Sequence, residues 1–319
     1  MTPDQLASLS DTFFSISVAL YSLAVVAFCA QLAFGRRPVR QRELVGAGGP
    51  AVAEPETGTP AEDTRGRRWG VVALVLTGLG ALTHAGVLVA RGMATDRLPW
   101  GNMYEFSTAT VLVAVVAFLG FAVKTPGLRH IGLFVLAPVV LCMVAIGLRL
   151  YAEAGPVVAA LRSSWLAIHV STAIIGFGVF FVSGIASVLY LLKTRHEARV
   201  AAGEAGSEGV LARLPGAAAL DRVAHRTAVF GFPIWTFAVI AGAIWAEAAW
   251  GRFWGWDPKE TWAFVAWVVY AAYLHARTTA GWRGRPAAWV NVVGLGVMIF
   301  NLTFVNMVST GLHSYAGVS

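Results

Sequence analysis

Residues 165–192 read WLAIHVSTAIIGFGVFFVSGIASVLYLL, an uninterrupted apolar stretch without Asp, Glu, Lys or Arg. A helix needs about 20 apolar residues to cross the hydrocarbon core of a bilayer, so this stretch is long enough to span it and to tilt or project beyond it. Similar stretches recur along the chain, and we predict an all-α integral membrane protein of about eight transmembrane helices. The other predicted spans are residues 13–34, 69–90, 107–123, 131–149, 229–249, 260–278 and 288–308.

The composition suits lipid rather than water as the solvent. Hydrophobic residues make up 57% of the chain and charged residues 13%, whereas a soluble domain carries roughly 25% charged residues. The net charge is +7, but the basic residues cluster in short loops between spans, so we expect no nucleic-acid partner. Cys29 and Cys142 lie in apolar stretches and no CxxC motif occurs, which argues against a c-type cytochrome or a thiol oxidoreductase.

The positive charges are distributed unevenly between the two ends of the predicted bundle. Loops after the first, third, fifth and seventh spans hold eighteen of the 24 Lys and Arg residues, and the opposite loops hold six. Loops rich in Lys and Arg stay in the cytoplasm, so both termini are predicted to lie outside a plasma (inner) membrane. Asp4 and Asp11 precede the first basic residue, Arg36, and a cleavable signal peptide is therefore not expected.

The chain is predicted to divide at residue 68. Residues 1–68 comprise the first transmembrane helix and a cytoplasmic loop, whose segment 46–64 (GAGGPAVAEPETGTPAEDT) is too polar and too rich in Gly and Pro to fold. Residues 201–209 (AAGEAGSEG) are predicted to be a second linker of this kind. Residues 69–319 are predicted to form a membrane domain of about seven helices, with an outer loop at 245–262.

The outer loop and the span after it are rich in tryptophan. Aromatic residues favour the membrane interface, and a belt of this kind accounts for some of them. Their crowding into one short loop also suits a flat apolar ligand such as a porphyrin or a quinone. Six of the chain's 12 Trp residues lie between residues 245 and 275: Trp245, Trp250, Trp254, Trp256, Trp262 and Trp267.

The sequence Asp257-Pro258-Lys259-Glu260 has the pattern of a helix start. Asp is a good N-cap, Pro fits the first helical position, and Glu at the third completes a capping box. We therefore predict that Asp257 and Glu260 begin the seventh span. A catalytic acid–base pair formed by the two carboxylates is the alternative interpretation.

Ionisable groups at membrane depth are costly and are usually functional, which directs attention to four of the histidines. His169 lies near the outer end of the fifth span and His313 follows the eighth span, so both can reach the tryptophan-rich loop. Axial ligands of one iron must lie about 4 Å apart, twice the length of a metal–imidazole bond. The predicted topology permits this for the pair.

His275 belongs to a different depth. It follows Glu260 by fifteen residues, which corresponds to roughly 22 Å along a helix. Phe264, Val268 and Ala271 share its face and form an apolar slot. The alternative is an interfacial histidine that snorkels beside the neighbouring Arg277. His84 is a further candidate ligand, for which packing within the bundle is the competing explanation.

Five segments together resemble one known family, the CcsA/ResC proteins of cytochrome c maturation System II, some of which are called CcsB. The tryptophan-rich loop resembles the WWD domain of that family, and the resemblance covers roughly residues 69–317. The segments are LPWGNMYEF at 98–106, SSWLAIHVSTAIIGFGVFF at 163–181, WGRFWGWDPKETW at 250–262, YLH at 273–275 and GLHSY at 311–315.

The resemblance implies a site for non-covalent haem b in transit. It makes His169 and His313 the axial ligands of an outer haem, and His275 the ligand of a second haem nearer the cytoplasm. It implies that the loop contacts the outer haem through Trp250, Trp254, Trp256, Asp257 and Trp262, with Glu260 as a further candidate. His84 matches no position that we associate with the family.

The resemblance also implies partners and a role. The protein would carry haem across the membrane and present it for ligation to the CxxCH motif of apocytochrome c. No fused ResB-like region is present, so the chain is expected to form a haem lyase (synthase) complex with a ResB-like subunit, CcsB in the usual naming. Thiol-reducing proteins and membrane lipid are further expected partners. The alternative function is a di-haem b-type membrane electron-transfer protein, and a third is a scaffold whose tryptophan loop only docks a partner.

The charge distribution makes a direct prediction about topology. GFP fused after Arg226 or after Arg283 should fluoresce in the cytoplasm, because loops rich in Lys and Arg are retained there. An alkaline phosphatase fusion after Ser319 should be active, since that enzyme folds only outside the cytoplasm. If GFP fused after Ser319 fluoresced instead, the C-terminus would be cytoplasmic and every residue assigned to the outer side would lie inside.

Overall fold

The computed structural model of the chain describes residues 1–34, 64–157, 163–204, 206 and 209–313. Within these ranges all regular structure is helical. Six long helices and two helices that follow the tryptophan-rich loop make the bundle, with short helical turns between and after them. The elements are α1 (Pro3–Phe34), α2 (Thr64–Thr95), α3 (Met103–Lys124), a 3₁₀ helix (Pro126–Ile131), α4 (Gly132–Arg149), α5 (Ser164–Ala201), α6 (Val210–Arg213), α7 (Ala217–Trp250), α8 (Pro258–Thr278), α9 (Arg285–Leu302) and α10 (Phe304–Met307).

The predicted spans correspond to these helices, most of which extend further than predicted, whereas the last predicted span, 288–308, is divided between α9, which ends at Leu302, and α10. Seven of them are long and apolar enough to cross a membrane. The predicted seventh span corresponds to α8, whose 21 residues are long enough at about 1.5 Å per residue. It falls outside the seven because polar residues such as Lys259, Glu260 and Arg277 occupy its ends. The chain is thus a multi-pass all-helical membrane protein with a helix count close to the predicted one.

The connections differ from the prediction in one respect. The fifth span was expected to end near residue 192, but α5 continues to Ala201. The Lys193 ammonium lies 3.8 Å from the carboxylate of Glu197, the one-turn spacing that favours helix continuation. Residues 46–63, predicted to be disordered, and residues 205, 207 and 208 of the second predicted linker lie outside the described part of the chain.

Helix α5 is the centre of the bundle. It packs against α3, α7 and α9, while α1 packs chiefly against α2, and α8 packs against α9 and α7. In its most apolar stretch 67% of the residues are buried, against 28–44% in the other six spanning helices. A helix surrounded by neighbours can be apolar on all sides, which explains why the α5 sequence has no polar face.

The helices alternate in direction, so the start of α1 and the end of α9 lie at the same end of the bundle. The Ser10 hydroxyl donates to the carbonyl of Val87 near the end of α2, and Trp100 before α3 donates to the Ser171 hydroxyl near the start of α5. This end also holds the loop between α7 and α8. Which side of the membrane it faces remains a prediction.

A small polar cluster joins α5 to α9 inside the apolar core. The Asn291 amide donates to the hydroxyls of Ser183 and Ser187, at 2.8 Å in both cases. Hydrogen bonds between helices stabilise membrane bundles by about 0.6 kcal/mol each on average. The cluster fixes the register of α9 against the central helix, and α9 is followed by the segment that carries His313.

Buried charges close the end of the bundle that holds the start of α3. The Glu105 carboxylate is fully buried and accepts from the Arg91 guanidinium at 3.2 Å and from the Arg97 guanidinium at 2.8 Å. It also accepts from the backbone N–H of Gly101 at 2.7 Å, while the Asn102 side chain caps α3. These charged groups are removed from water, so the loss of any one of them would leave a buried charge without its partner and destabilise the fold.

We expect Glu105→Ala to destabilise the protein by about 3–5 kcal/mol, because it removes the only fully buried carboxylate that pairs with Arg91 and Arg97 among the described residues and leaves Arg91 with the more distant Asp11 at 3.9 Å. The measurement is thermal unfolding of the purified protein in detergent. Glu197→Ala removes an exposed carboxylate of α5 and is the matched control, with an expected change below about 0.5 kcal/mol. Equal unfolding midpoints for the two variants would contradict the assignment.

Candidate functional site

His169 is held rigidly on the central helix. Its Nδ1 lies 2.8 Å from the carbonyl oxygen of Ala238 in α7, and since a carbonyl only accepts, Nδ1–H is the donor. The ring stacks on Trp245, with centroids 5.9 Å apart and planes inclined by 8°. A Cβ at Gly242 would lie 2.7 Å from the imidazole. The glycine therefore provides the space that the ring occupies.

His313 meets the same tryptophan from the far end of the sequence. Its ring centroid is 5.7 Å from that of Trp245 and 5.0 Å from that of Trp250, both in edge-to-face contact. The two tryptophans also contact each other at 4.7 Å. Trp245 is almost completely buried. The structure thus brings the two predicted outer histidines into contact with the same indole ring.

The Asp257 side chain both caps α8 and binds the segment that carries His313. It caps α8 by accepting from the backbone N–H of Lys259, and the Glu260 side chain accepts from the backbone N–H of Asp257, so the predicted capping box is confirmed. Its carboxylate also accepts from the N–H of Leu312 at 2.7 Å and from Nδ1 of His313 at 2.8 Å. The helix cap therefore anchors the segment after α10.

The ionisation of Asp257 favours this arrangement. Burial acts to raise the pKa of the carboxyl group, but the hydrogen bond and charge of His313 and the two backbone amides outweigh it. The pKa of Asp257 is consequently held below its ordinary value. A carboxylate that remains ionised at neutral pH is a strong acceptor for the imidazole N–H.

Glu260 orders the loop rather than facing outward as a second free acid. It accepts from the Arg252 guanidinium at 3.1 Å and from the backbone N–H groups of Gly255 and Asp257 at 2.9 and 3.0 Å. These contacts hold Trp256 between them in the left-handed region, with φ of 57°. The loop between α7 and α8 is therefore fixed by hydrogen bonds as well as by ring packing.

A cavity lies between His169 and His313. It has about 710 Å³ of empty space, part of which is open to the exterior. Its walls are mostly apolar and aromatic, with a few polar groups. The lining residues include Phe106, His169, Phe177, Trp235, Trp250, Phe253, Trp254, Lys259, Glu260, Asn301 and His313.

The four tryptophans predicted to contact haem lie in three different places. Trp250 and Trp254 line the cavity. Trp256 is 64% exposed and packs edge-to-face on Trp254. Trp262 faces α9, where its ring lies 4.4 Å from that of Phe300. Only the first pair is in a position to touch a molecule inside this cavity.

The remaining two candidate histidines lie elsewhere. His275 is in the last turn of α8, at the opposite end of that helix from the cap. Its side chain is exposed on the surface of the bundle. Phe264 and Val268 are exposed on the same helix. His84 is fully buried between helices, where its Nδ1 lies 3.2 Å from the Tyr21 hydroxyl. The structure does not bring either of them to the cavity.

Sequence reasoning missed several residues of the cavity. Lys259 was assigned only to the helix start, yet it lines this cavity and a neighbouring one. Asn301 is 1% exposed and also lines the cavity. Asn301 is one of three asparagines in the mostly apolar span 288–308, with Asn291 and Asn306, and these were a signal available from the sequence. Trp235 and Phe106 carried no such signal, because aromatic residues within spans are common.

The fold and the site define a class, that of multi-pass membrane proteins with a histidine-flanked aromatic cavity at one end of the bundle. The sequence matches the family described as "Cytochrome C assembly protein" over residues 100–313. It is 36% identical to the cytochrome c biogenesis protein CcsA of Synechococcus elongatus over 73% of this chain and 84% of that protein. The chain belongs to the CcsA family of cytochrome c biogenesis proteins.

Other relatives agree with this assignment. CcsA of Gloeobacter violaceus is 34% identical over 75% of this chain and 84% of its own length. CcsA of Parasynechococcus marenigrum is 44% identical over 51% of this chain and 59% of its own length. The fold is similar to that of the cytochrome c haem lyase CcmF, with a TM-score of 0.58 at 16% identity, covering 99% of this chain and 54% of that one.

Asp257→Ala should release the segment around His313. Losing the cap costs about 1 kcal/mol, and the N–H of Leu312 loses its acceptor. We expect faster hydrogen–deuterium exchange at the amides of Leu312 and Lys259, measured by mass spectrometry in detergent. Glu247→Ala removes an exposed acid near the end of α7 and is the control. Unchanged exchange at Leu312 would contradict the anchoring role.

Proposed function

We propose that this protein transports haem across the membrane and presents it, at the cavity between His169 and His313, for attachment to apocytochrome c. One observation carries the proposal. His169 and His313 are 144 residues apart in the sequence, yet both line the same aromatic cavity. Tryptophan walls suit a flat apolar porphyrin, and imidazole is a common ligand of haem iron.

The hydrogen bonds of the two histidines select the nitrogen that would bind iron. Nδ1 of His169 is engaged by the Ala238 carbonyl and Nδ1 of His313 by the Asp257 carboxylate. Nε2 would therefore be the ligand in each ring. Partners of this kind fix the orientation of a ligating imidazole, and a carboxylate also raises its basicity. Asp257 acts here as a positioning residue.

The cargo supplies the reactive group for the attachment. Each thiol of a CxxCH motif adds across a vinyl group of haem, with the sulfur bonding to one vinyl carbon and the proton to the other. No leaving group or oxidant is needed for this addition. The protein's part is to hold the porphyrin, and the cavity lined by Trp250 and Trp254 would present the edge of the porphyrin to the apocytochrome.

His275 would serve a second haem nearer the cytoplasm. Its exposed position on α8, beside the apolar Phe264 and Val268, faces away from this chain's own bundle. A ligand on the opposite side of such a haem would then come from a ResB-like partner subunit. We further propose that the outer site lies on the extracytoplasmic face of the plasma membrane and that the chain acts as part of a haem lyase complex.

Histidine substitutions test the proposal in the chain co-expressed with its ResB-like partner. His169→Ala or His313→Ala should lower haem at the outer site and alter its absorption spectrum, because either change removes an axial ligand. His275→Ala should reduce haem at both sites if haem enters through the inner one. Imidazole added to the purified protein should restore part of the signal by filling the vacated position. Haem content, spectrum and cytochrome c maturation are measured together.

His196→Ala is the matched control, since its half-buried side chain lies on α5 at the other end of the bundle. It should leave haem content and maturation unchanged. Different behaviour of His169→Ala and His313→Ala would mean that they do not share one iron. Stable haem with no cytochrome c maturation in the intact complex would favour the electron-transfer function instead.

A further inference from the structure

One corner of the cavity is polar. The Lys259 side chain, on the first turn of α8, lines the cavity and donates from Nζ to the Asn301 carbonyl at 3.2 Å. Asn301 lies in the last turn of α9 and lines the same cavity, and the residue is 1% exposed. Its Oδ1 has no hydrogen-bond partner among the described residues. The Lys259 ammonium thus bonds to the backbone of a residue whose polar side chain belongs to the same, mostly apolar cavity.

The charge of Lys259 is not matched by a neighbouring acid. Asp257 is occupied by the amides of Lys259 and Leu312 and by His313. Glu260 is paired with Arg252. Within the described part of the chain no carboxylate lies within ion-pairing distance of the Lys259 ammonium. An ammonium has three donors and the Asn301 carbonyl takes one of them.

A partly buried cation without a counter-ion is costly, and a bound anion relieves that cost. The Asn301 amide adds a second hydrogen-bonding group beside it, since rotation of an amide exchanges its donor and acceptor ends. A carboxylate has two oxygens and can accept from both an ammonium and an amide N–H of the same cavity. Arg252, the other cation of the loop, is already engaged by Glu260.

We infer that Lys259 and Asn301 form a carboxylate subsite, which binds a propionate of the haem cargo. The inference rests on the proposed function and adds a specificity-determining pair to it. The propionates and the vinyl groups occupy different edges of haem. Holding a propionate at the Lys259 corner therefore fixes which edge of the porphyrin is turned toward the rest of the cavity.

Lys259 also lines a second cavity of about 580 Å³ that is shared with His169, Trp245 and His313. This neighbouring cavity reaches the loop before α3, at Trp100. Lys259 therefore lines both cavities, whereas Asn301 lines only the first of the two.

The test compares haem b with haem dimethyl ester, in which both propionates are esterified. Each is titrated into the full-length, haem-free protein in detergent and followed by absorption. The wild-type protein should bind haem b at least about tenfold more tightly, as expected for a charge-assisted hydrogen bond. This comparison requires no mutation and is therefore independent of any folding defect.

Variants then locate the preference. Lys259→Met keeps the length of the side chain without its charge, and it should lose about tenfold in haem b affinity while its affinity for the ester is unchanged. Lys259→Arg should retain the preference for haem b. Lys124→Met, which removes an exposed lysine at the other end of the bundle, should behave as the wild type. A fatty acid supplies the same chemistry, so palmitate is added as a competitor.

Each outcome decides the inference. Equal wild-type affinity for haem b and its ester removes the carboxylate subsite but leaves the haem site standing. Binding of neither compound removes the proposed function as well. A preference for haem b that survives in Lys259→Met assigns the carboxylate to other residues and overturns the inference. Lysine-dependent binding of palmitate without any preference for haem b assigns the subsite to lipid and also overturns it.

Discussion

The arrangement of the site depends on the carboxylate of Asp257. One oxygen accepts from the amide of Leu312, and the other accepts from the amide of Lys259 and from Nδ1 of His313. A single acid therefore caps a helix and ties the end of the described chain to it. This hydrogen bond adds to the ring contacts that His313 makes with Trp245 and Trp250. Helix capping and the position of His313 thus depend on the same carboxylate.

A second constraint acts through the central helix. α5 is buried on most of its surface because α3, α7 and α9 surround it, so the position of His169 is fixed by packing and by one hydrogen bond to α7. The buried cluster at Glu105 secures the adjoining end of α3, and Trp100 connects that end to α5. The cavity is consequently bordered by elements that are each anchored independently of any ligand.

The capping motif shows how far local reasoning reaches. Asp257 and Glu260 were predictable as a capping box, because capping depends on residues three positions apart. The same reasoning assigned Lys259 to the helix start and overlooked its place in the cavity wall. That place depends on where the end of α9 lies, since Nζ is directed to the Asn301 carbonyl. Contacts between distant helices leave no pattern of spacing that a single sequence reveals.

Sequence alone determined that the chain is a multi-pass helical membrane protein, because bilayer thickness fixes the length of an apolar span and every helix must satisfy its own backbone hydrogen bonds. It also pointed to His169, His313 and the tryptophan loop as one group through topology and resemblance. Only the tertiary structure decided that Trp250 and Trp254 line the cavity while Trp256 and Trp262 point elsewhere. The physical reason is that the direction of each ring follows from the packing of α7, α8 and α9, which is set by contacts far apart in the chain.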